Sequence, residues 1–367
     1  MRTLLILLFL VGCATAGNTA SSGAKSATVA SSPEDAVKIV SEQAKTDKKQ
    51  YKIAIFAPYM ANSQVLFNKR VGEELLNAGH DVTIYMMTYL DMKIHKVDID
   101  PRIKLVPVNG SFGMDGEKMM ADQAKHSFHD LPIWSAESRK LMAMFGEMYR
   151  SCKVFLKDKK FLSHIEESKY DIAFSHMYNY CPIGIIHKTK IPTWVWLSSG
   201  ALTDNIANAI GVPLPPSYCT PMMMDAGDKL SFIKRIKSFI GHVMFNVIFK
   251  RMTANKETAV FREEFGEDFP DLTDLAAKAP LVMVNSNELY DFARPTLSKI
   301  VNIGGVGIKS KDAKPLKPEF ASRVEKAKGI VVMSFGSIAP MYLMPDHWKE
   351  AYFHAFAQFP DVQFFLR

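Results

Sequence analysis

From Tyr51 onward, short unbroken apolar runs alternate with segments whose apolar residues return every three or four positions. Residues 52–57 form the first run, which ends at Pro58. Val65, Leu66, Val71, Leu75 and Leu76 then follow at helical spacing, Gly79 stops them, and residues 82–86 form a second run. Strand, loop, helix, glycine stop and strand predict a right-handed βαβ unit. Further strands are predicted at 102–108, 170–175, 192–197, 281–285 and 300–305, with helical spacing over 138–156, 181–188 and 229–265. A last strand–helix–strand pattern covers 329–333, 345–359 and 362–366. Unbroken apolar strands separated by helices predict an α/β fold with a parallel sheet. The many apolar positions of 229–265, set among Lys234, Arg235, Lys237, Lys250 and Arg251, leave open a face for a membrane or a partner; a buried helix pair is the preferred expectation.

The flanking segments lack this pattern. Residues 1–16 carry Arg2, an apolar core from Leu4 to Val11 and a small-residue pattern at Ala14–Ala16. They read as a secretory signal peptide, too short to span a bilayer as a mature helix. Leu10–Cys13 also resembles a bacterial lipoprotein signal, which keeps a two-lobed binding lipoprotein as an alternative. Residues 17–50, rich in Ser, Ala, Lys and Thr, read as a disordered linker, with a short helix within 33–44 left open. Residues 51–308 are expected to form an N-terminal domain, 309–328 an interdomain linker, and 329–367 the start of a second domain. One βαβ unit cannot bury both faces of a sheet, so that second domain reads as incomplete.

Of 367 residues, 48% are apolar and 23% charged, enough for sizeable cores. The net charge of +7 is scattered, with no dense basic tract, which argues against a nucleic-acid partner. Cys13, Cys152, Cys181 and Cys219 show no zinc spacing, so no metal is expected; one disulfide is compatible with them, a framework is not. Asn109-Gly110-Ser111 is a glycosylation sequon.

Open α/β sheets bind ligands beyond the carboxyl ends of their strands. The loops at 58–64 and 176–180 both follow strands of one sheet and open on one crevice. Transfer of a group onto a hydroxyl needs a base to take its proton. Gln64 cannot do this near neutral pH, whereas a histidine can, so His176 is the candidate base. A helix cap or a neutral core group are its alternative roles. Ser334-Phe335-Gly336-Ser337 follows a strand, and its small residues let backbone N–H groups approach a phosphate. There is no GxGxxG, GxxxxGK[ST] or GxSxG motif, which disfavours a dinucleotide site, a P-loop and a serine hydrolase.

Four stretches together carry a family resemblance: NSQVLFNKRVGEELLNAGHDVTIYM, YDIAFSHMYNYCPIG, VMVNSNELYDFARPTLSKIVNIGGVGI and GIVVMSFGSIAP. The chain resembles the animal UDP-glycosyltransferases, in particular the nematode UDP-glucuronosyltransferase-like group. The resemblance implies a type-B glycosyltransferase fold, two facing Rossmann-like domains, the second incomplete here. It implies an inverting transfer of glucuronic acid or glucose from a UDP-sugar co-substrate, without a further cofactor, to a small lipophilic hydroxyl acceptor. Ser334, Gly336 and Ser337 take the donor-phosphate role by position, and Arg294 lies in the donor-side stretch. The family's usual base, a histidine, falls at Gln64, and its supporting aspartate falls at His176. The C-terminal donor motifs and membrane anchor of the family would lie beyond Arg367. The resemblance therefore also accommodates a non-catalytic member that binds ligand or pairs with relatives. It implies the secretory pathway, at the endoplasmic reticulum lumen or membrane, as location; membrane association and oligomers with relatives stay open.

Overall fold

The first strand, β1 (Lys52–Tyr59), is buried at every position after Lys52, and β2 (Asp81–Thr88) shows the same pattern. A strand with no polar alternation has both faces covered. The computed structural model describes residues 49–93, 98–129, 135–222, 224–308, 315–336 and 338–367. The expected signal peptide and most of the expected 17–50 linker lie outside the described residues. Residues 50–367 pack as one unit.

Five more strands, β3 (Lys104–Asn109), β4 (Ile172–His176), β5 (Thr193–Ser198), β6 (Leu281–Val284) and β7 (Ile300–Asn302), complete a seven-stranded sheet in the order β3-β2-β1-β4-β5-β6-β7. All its pairings are parallel. This is the α/β class that the sequence pattern predicts. Pro107 lies in β3, at the sheet edge, where a missing N–H leaves no ladder bond broken. The chain runs outward from β1 to β3, returns to the centre at β4, and runs outward again to β7. Pairing of β1 with β4 joins Ile53 to Ile172 and Phe56 to Ser175.

Alternate residues of the strands feed two cores. Ile53, Ile55, Ile84 and Val195 point to one face, where α1 (Asn62–Asn77) supplies Val65, Phe67 and Val71. Ala54, Phe56, Tyr85 and Trp196 point to the other. That face is covered by α4 (Tyr149–Lys157), α5 (Lys159–Ser168), α6 (Cys181–Lys188), α7 (Asp204–Ile210), α9 (Ala254–Phe265) and α10 (Leu272–Ala277). Two further helices, α2 (Gly116–Lys125) and α3 (Ala136–Glu147), precede α4. Gly184 lets α6 and α9 approach closely, because a Cβ there would enter the Phe261 ring.

Two features pin α6. Its first residue, Cys181, is disulfide-bonded to Cys152 of α4. At the same helix start, the buried Glu257 of α9 accepts the Tyr180 backbone N–H at 2.8 Å. Burial raises the Glu257 carboxyl to about 7, against the opposing pull of the backbone donors of Tyr180 and Cys181.

The predicted helical stretch at 229–265 is two helices, α8 (Phe232–Met252) and α9, broken at Thr253. The Thr253 hydroxyl donates to the Phe249 carbonyl at 2.7 Å, competing with helix continuation. The expectation of a buried pair fails for α8, where Ser238 alone is buried among the described residues. The expected 309–328 linker also contains structure, since α11 (Pro318–Glu325) starts within it on Pro318. Beyond it, β8 (Gly329–Met333) and β9 (Val362–Leu366) pair in parallel, with α12 (Asp346–Ala357) packed through Phe356 on Phe364. Val332 is 73% exposed, so this small sheet is open on one side.

The raised Glu257 carboxyl stabilises the fold fully below pH 4.5, and that contribution is lost as pH rises to about 7. Relative to Glu257→Gln, which keeps an acceptor for Tyr180, the wild type is expected to lose up to about 3 kcal/mol of unfolding free energy across that window. Reduction of Cys152–Cys181, 29 residues apart, is expected to cost about 3–4 kcal/mol, read as a lowered unfolding midpoint in dithiothreitol.

Candidate active site

The strand order reverses between β1 and β4, and ligands of open α/β sheets bind at such a point. The structure therefore brings the 58–64 and 176–180 loops side by side, as the sequence predicts. On the first loop α1 begins at Asn62, with Ala61 before it offering no side-chain cap and no acidic residue in its first turn. Gln64 is the third residue of α1 and is half-buried, and its backbone carbonyl accepts the Asn68 side-chain amide at 2.8 Å. Its own amide can donate and accept hydrogen bonds but takes no proton.

His176 ends β4 and is 3% exposed. Its Nδ1 accepts the Tyr178 backbone N–H at 3.2 Å. That assigns the ring proton to Nε2, which donates to the Tyr89 hydroxyl at 2.6 Å. Burial lowers the imidazole to about 3. A ring with both nitrogens engaged and so little basicity has no lone pair for an incoming hydroxyl. This corrects the expectation that His176 is the base; the environment is that of its alternative, a neutral core group.

The same loop is tied down along its length. The Trp196 indole N–H donates to the His176 carbonyl at 3.1 Å, and the Asn205 amide donates to the Met177 carbonyl at 3.1 Å. The Cys181 N–H donates to Asn179 Oδ1 at 3.2 Å. Tyr89, Asn205 and Glu257 escaped the sequence reading. Glu257 did leave a signal, since it shares a stripe at 254, 257, 258 and 261 with Ala254, Thr258 and Phe261, all buried. Tyr89 left none, because its partner is 87 residues away.

The loop after β8 is exposed. Ser334 Oγ accepts the Gly336 N–H at 3.2 Å, and Gly336 has φ +83°, where glycine alone is unstrained. Ser337 lies outside the described residues. Phe335 meets the Phe128 ring edge-on at 5.6 Å, and Ser127 Oγ donates to the Ile338 carbonyl at 3.1 Å. The 334–336 turn thus stands against the end of α2. Arg294 sits on the β6–β7 loop, paired with Asp291 at 2.9 Å, and lines a surface pocket with Tyr218 and Phe292.

A sequence profile of the family described as UDP-glucoronosyl and UDP-glucosyl transferase matches residues 54–365. A Caenorhabditis elegans protein bearing the UDP-glucuronosyltransferase name, ugt-48, is 26% identical over 318 residues, covering 86% of this chain and 60% of that protein. Human UDP-glucuronosyltransferase 2B7 is 25% identical over 302 residues, covering 80% of this chain and 56% of that one. The chain thus spans about three fifths of the length of these relatives. The crystal structure of Arabidopsis thaliana UGT89C1 with UDP-L-rhamnose aligns at 14% identity and TM-score 0.43, covering 87% of this chain and 64% of that one.

The lowered His176 imidazole stabilises the fold above pH 6.5, and that contribution is lost as pH falls toward about 3. Unfolding measured across this window is expected to show the loss in the wild type relative to His176→Gln. His176→Ala is expected to cost about 2–3 kcal/mol, because it strands the buried Tyr89 hydroxyl and leaves a cavity.

Proposed function

The chain belongs to the UDP-glucoronosyl and UDP-glucosyl transferase family, and from that membership we propose that it serves sugar transfer from a UDP-sugar to a small lipophilic hydroxyl compound. The family match along nearly all of the described chain carries the reading. The acceptor would lie in the crevice between the β1 and β4 loops, where the half-buried Met60 and Met177 offer adaptable apolar contacts. The sugar is glucuronic acid or glucose. Its diphosphate would meet the backbone N–H groups and hydroxyls of Ser334, Gly336 and Ser337, and Arg294 belongs to the donor-side stretch. Gln64 would orient the acceptor hydroxyl by hydrogen bonding.

One observation favours a second reading, binding without turnover. Gln64 cannot take a proton, and His176 is buried, neutral and bonded at both nitrogens. The chain would then hold an acceptor or pair with complete relatives.

The location is proposed as the lumen or membrane of the endoplasmic reticulum. The Cys152–Cys181 disulfide supports an oxidising compartment. Asn109, exposed at the end of β3, supports glycosylation at its sequon.

Calorimetric titration with UDP-glucuronic acid and UDP-glucose, beside transfer to a simple phenol, tests both readings. Saturable UDP-sugar binding that weakens about tenfold in Gly336→Ala supports the donor role, since the substitution strains the turn. Gln64→His is expected to raise transfer about a hundredfold under the first reading. Binding without transfer in both chains selects the second, and neither binding nor transfer overturns the donor assignment.

A further inference from the structure

The helix α8 presents its apolar side to solvent. Ser238 Oγ and His242 Nε2 both meet the Cys219 carbonyl, at 3.1 and 2.9 Å, and Phe249 packs toward Tyr180. These contacts define the side of the helix that rests on the protein. At 100° per residue, Phe232, Ile236, Phe239, Ile240, Val243 and Val247 fall on the opposite side. Phe232 is 76% exposed and Phe239 59%. A stripe of large apolar side chains this long is rare on a surface that meets only water.

The charges say what covers it. The stripe is bracketed by Lys234, Arg235 and Lys237 at one end and by Lys250 and Arg251 at the other. No acidic residue occurs between Phe232 and Met252. A second copy laid on this face, parallel or antiparallel, would set cations against cations. An anionic lipid surface accepts both parts, the apolar stripe among acyl chains and the cations among headgroups. Among the described residues no helix is long and apolar enough to cross a membrane, and the Cys219 contacts hold α8 along the protein surface.

We propose that α8 docks the protein, in plane, onto an anionic lipid surface through the Phe232–Val247 stripe and its two cationic ends. This does not rest on the transferase reading, since docking requires neither UDP-sugar nor turnover. The test is flotation of the full chain with phosphatidylcholine vesicles, with and without about 30% phosphatidylserine. The wild type is expected to float with the anionic vesicles and to be released by high salt. Phe239→Ser with Val243→Ser, and separately Lys237→Glu with Arg251→Glu, are each expected to weaken binding about tenfold with an unchanged unfolding midpoint, because all four side chains are exposed. Phe239→Trp is expected to gain a blue-shifted emission on vesicle addition. Flotation that neither pair alters, or an unshifted indole, overturns the proposal and assigns any lipid binding to another segment. Light scattering that shows a dimer dissolved by Phe239→Ser with Val243→Ser, without lipid binding, overturns it in favour of a second copy.

Discussion

A carboxyl group buried at the start of a helix organises this protein. Glu257 reaches from α9 to the Tyr180 N–H, at the point where β4 has ended and α6 is beginning. Burying it is costly, and the raised pKa records that cost. What it secures is position. With Glu257, the Cys152–Cys181 bond, Trp196 and Asn205 in place, the segment from His176 to Cys181 has little freedom left. That segment forms one wall of the crevice at the reversal of strand order.

The other wall is built differently. The first turn of α1 has no side-chain cap from Ala61 and no acid, and the Gln64 backbone N–H donates to the Ala61 carbonyl at 3.0 Å. One wall is tied down by side chains from other elements; the other is the start of a helix without a side-chain cap. Such a site orients a polar ligand group more readily than it takes a proton from one.

The strands of the large sheet were readable because burial on both faces writes itself as unbroken apolar runs, as in KIAIFAPY. The helix at Cys181–Lys188 was readable because a proline in its first turn follows a polar loop. The break at Thr253 was not, since apolar periodicity passes through it. Nor was the exposure of α8: a stripe in the sequence says that something apolar covers it, not that the cover is the protein's own core. His176 shows the same limit at the site. Its basicity is lowered by burial, which is not local in sequence.

The central position of β4 has a consequence for how the chain reaches this state. Lys52 and Asp171 meet across 119 residues, so the pairing of β1 with β4 closes the longest loop of the sheet's middle. Local βαβ contacts can form at once, whereas this seam must wait for a distant search whose entropic cost comes before any reward. Cys152 and Cys181 lie on either side of β4 in sequence, and their bond ties α4 to α6. The insertion of β4 beside β1 is the step on which the crevice comes into being, and an oxidising environment during synthesis favours the piece that must insert.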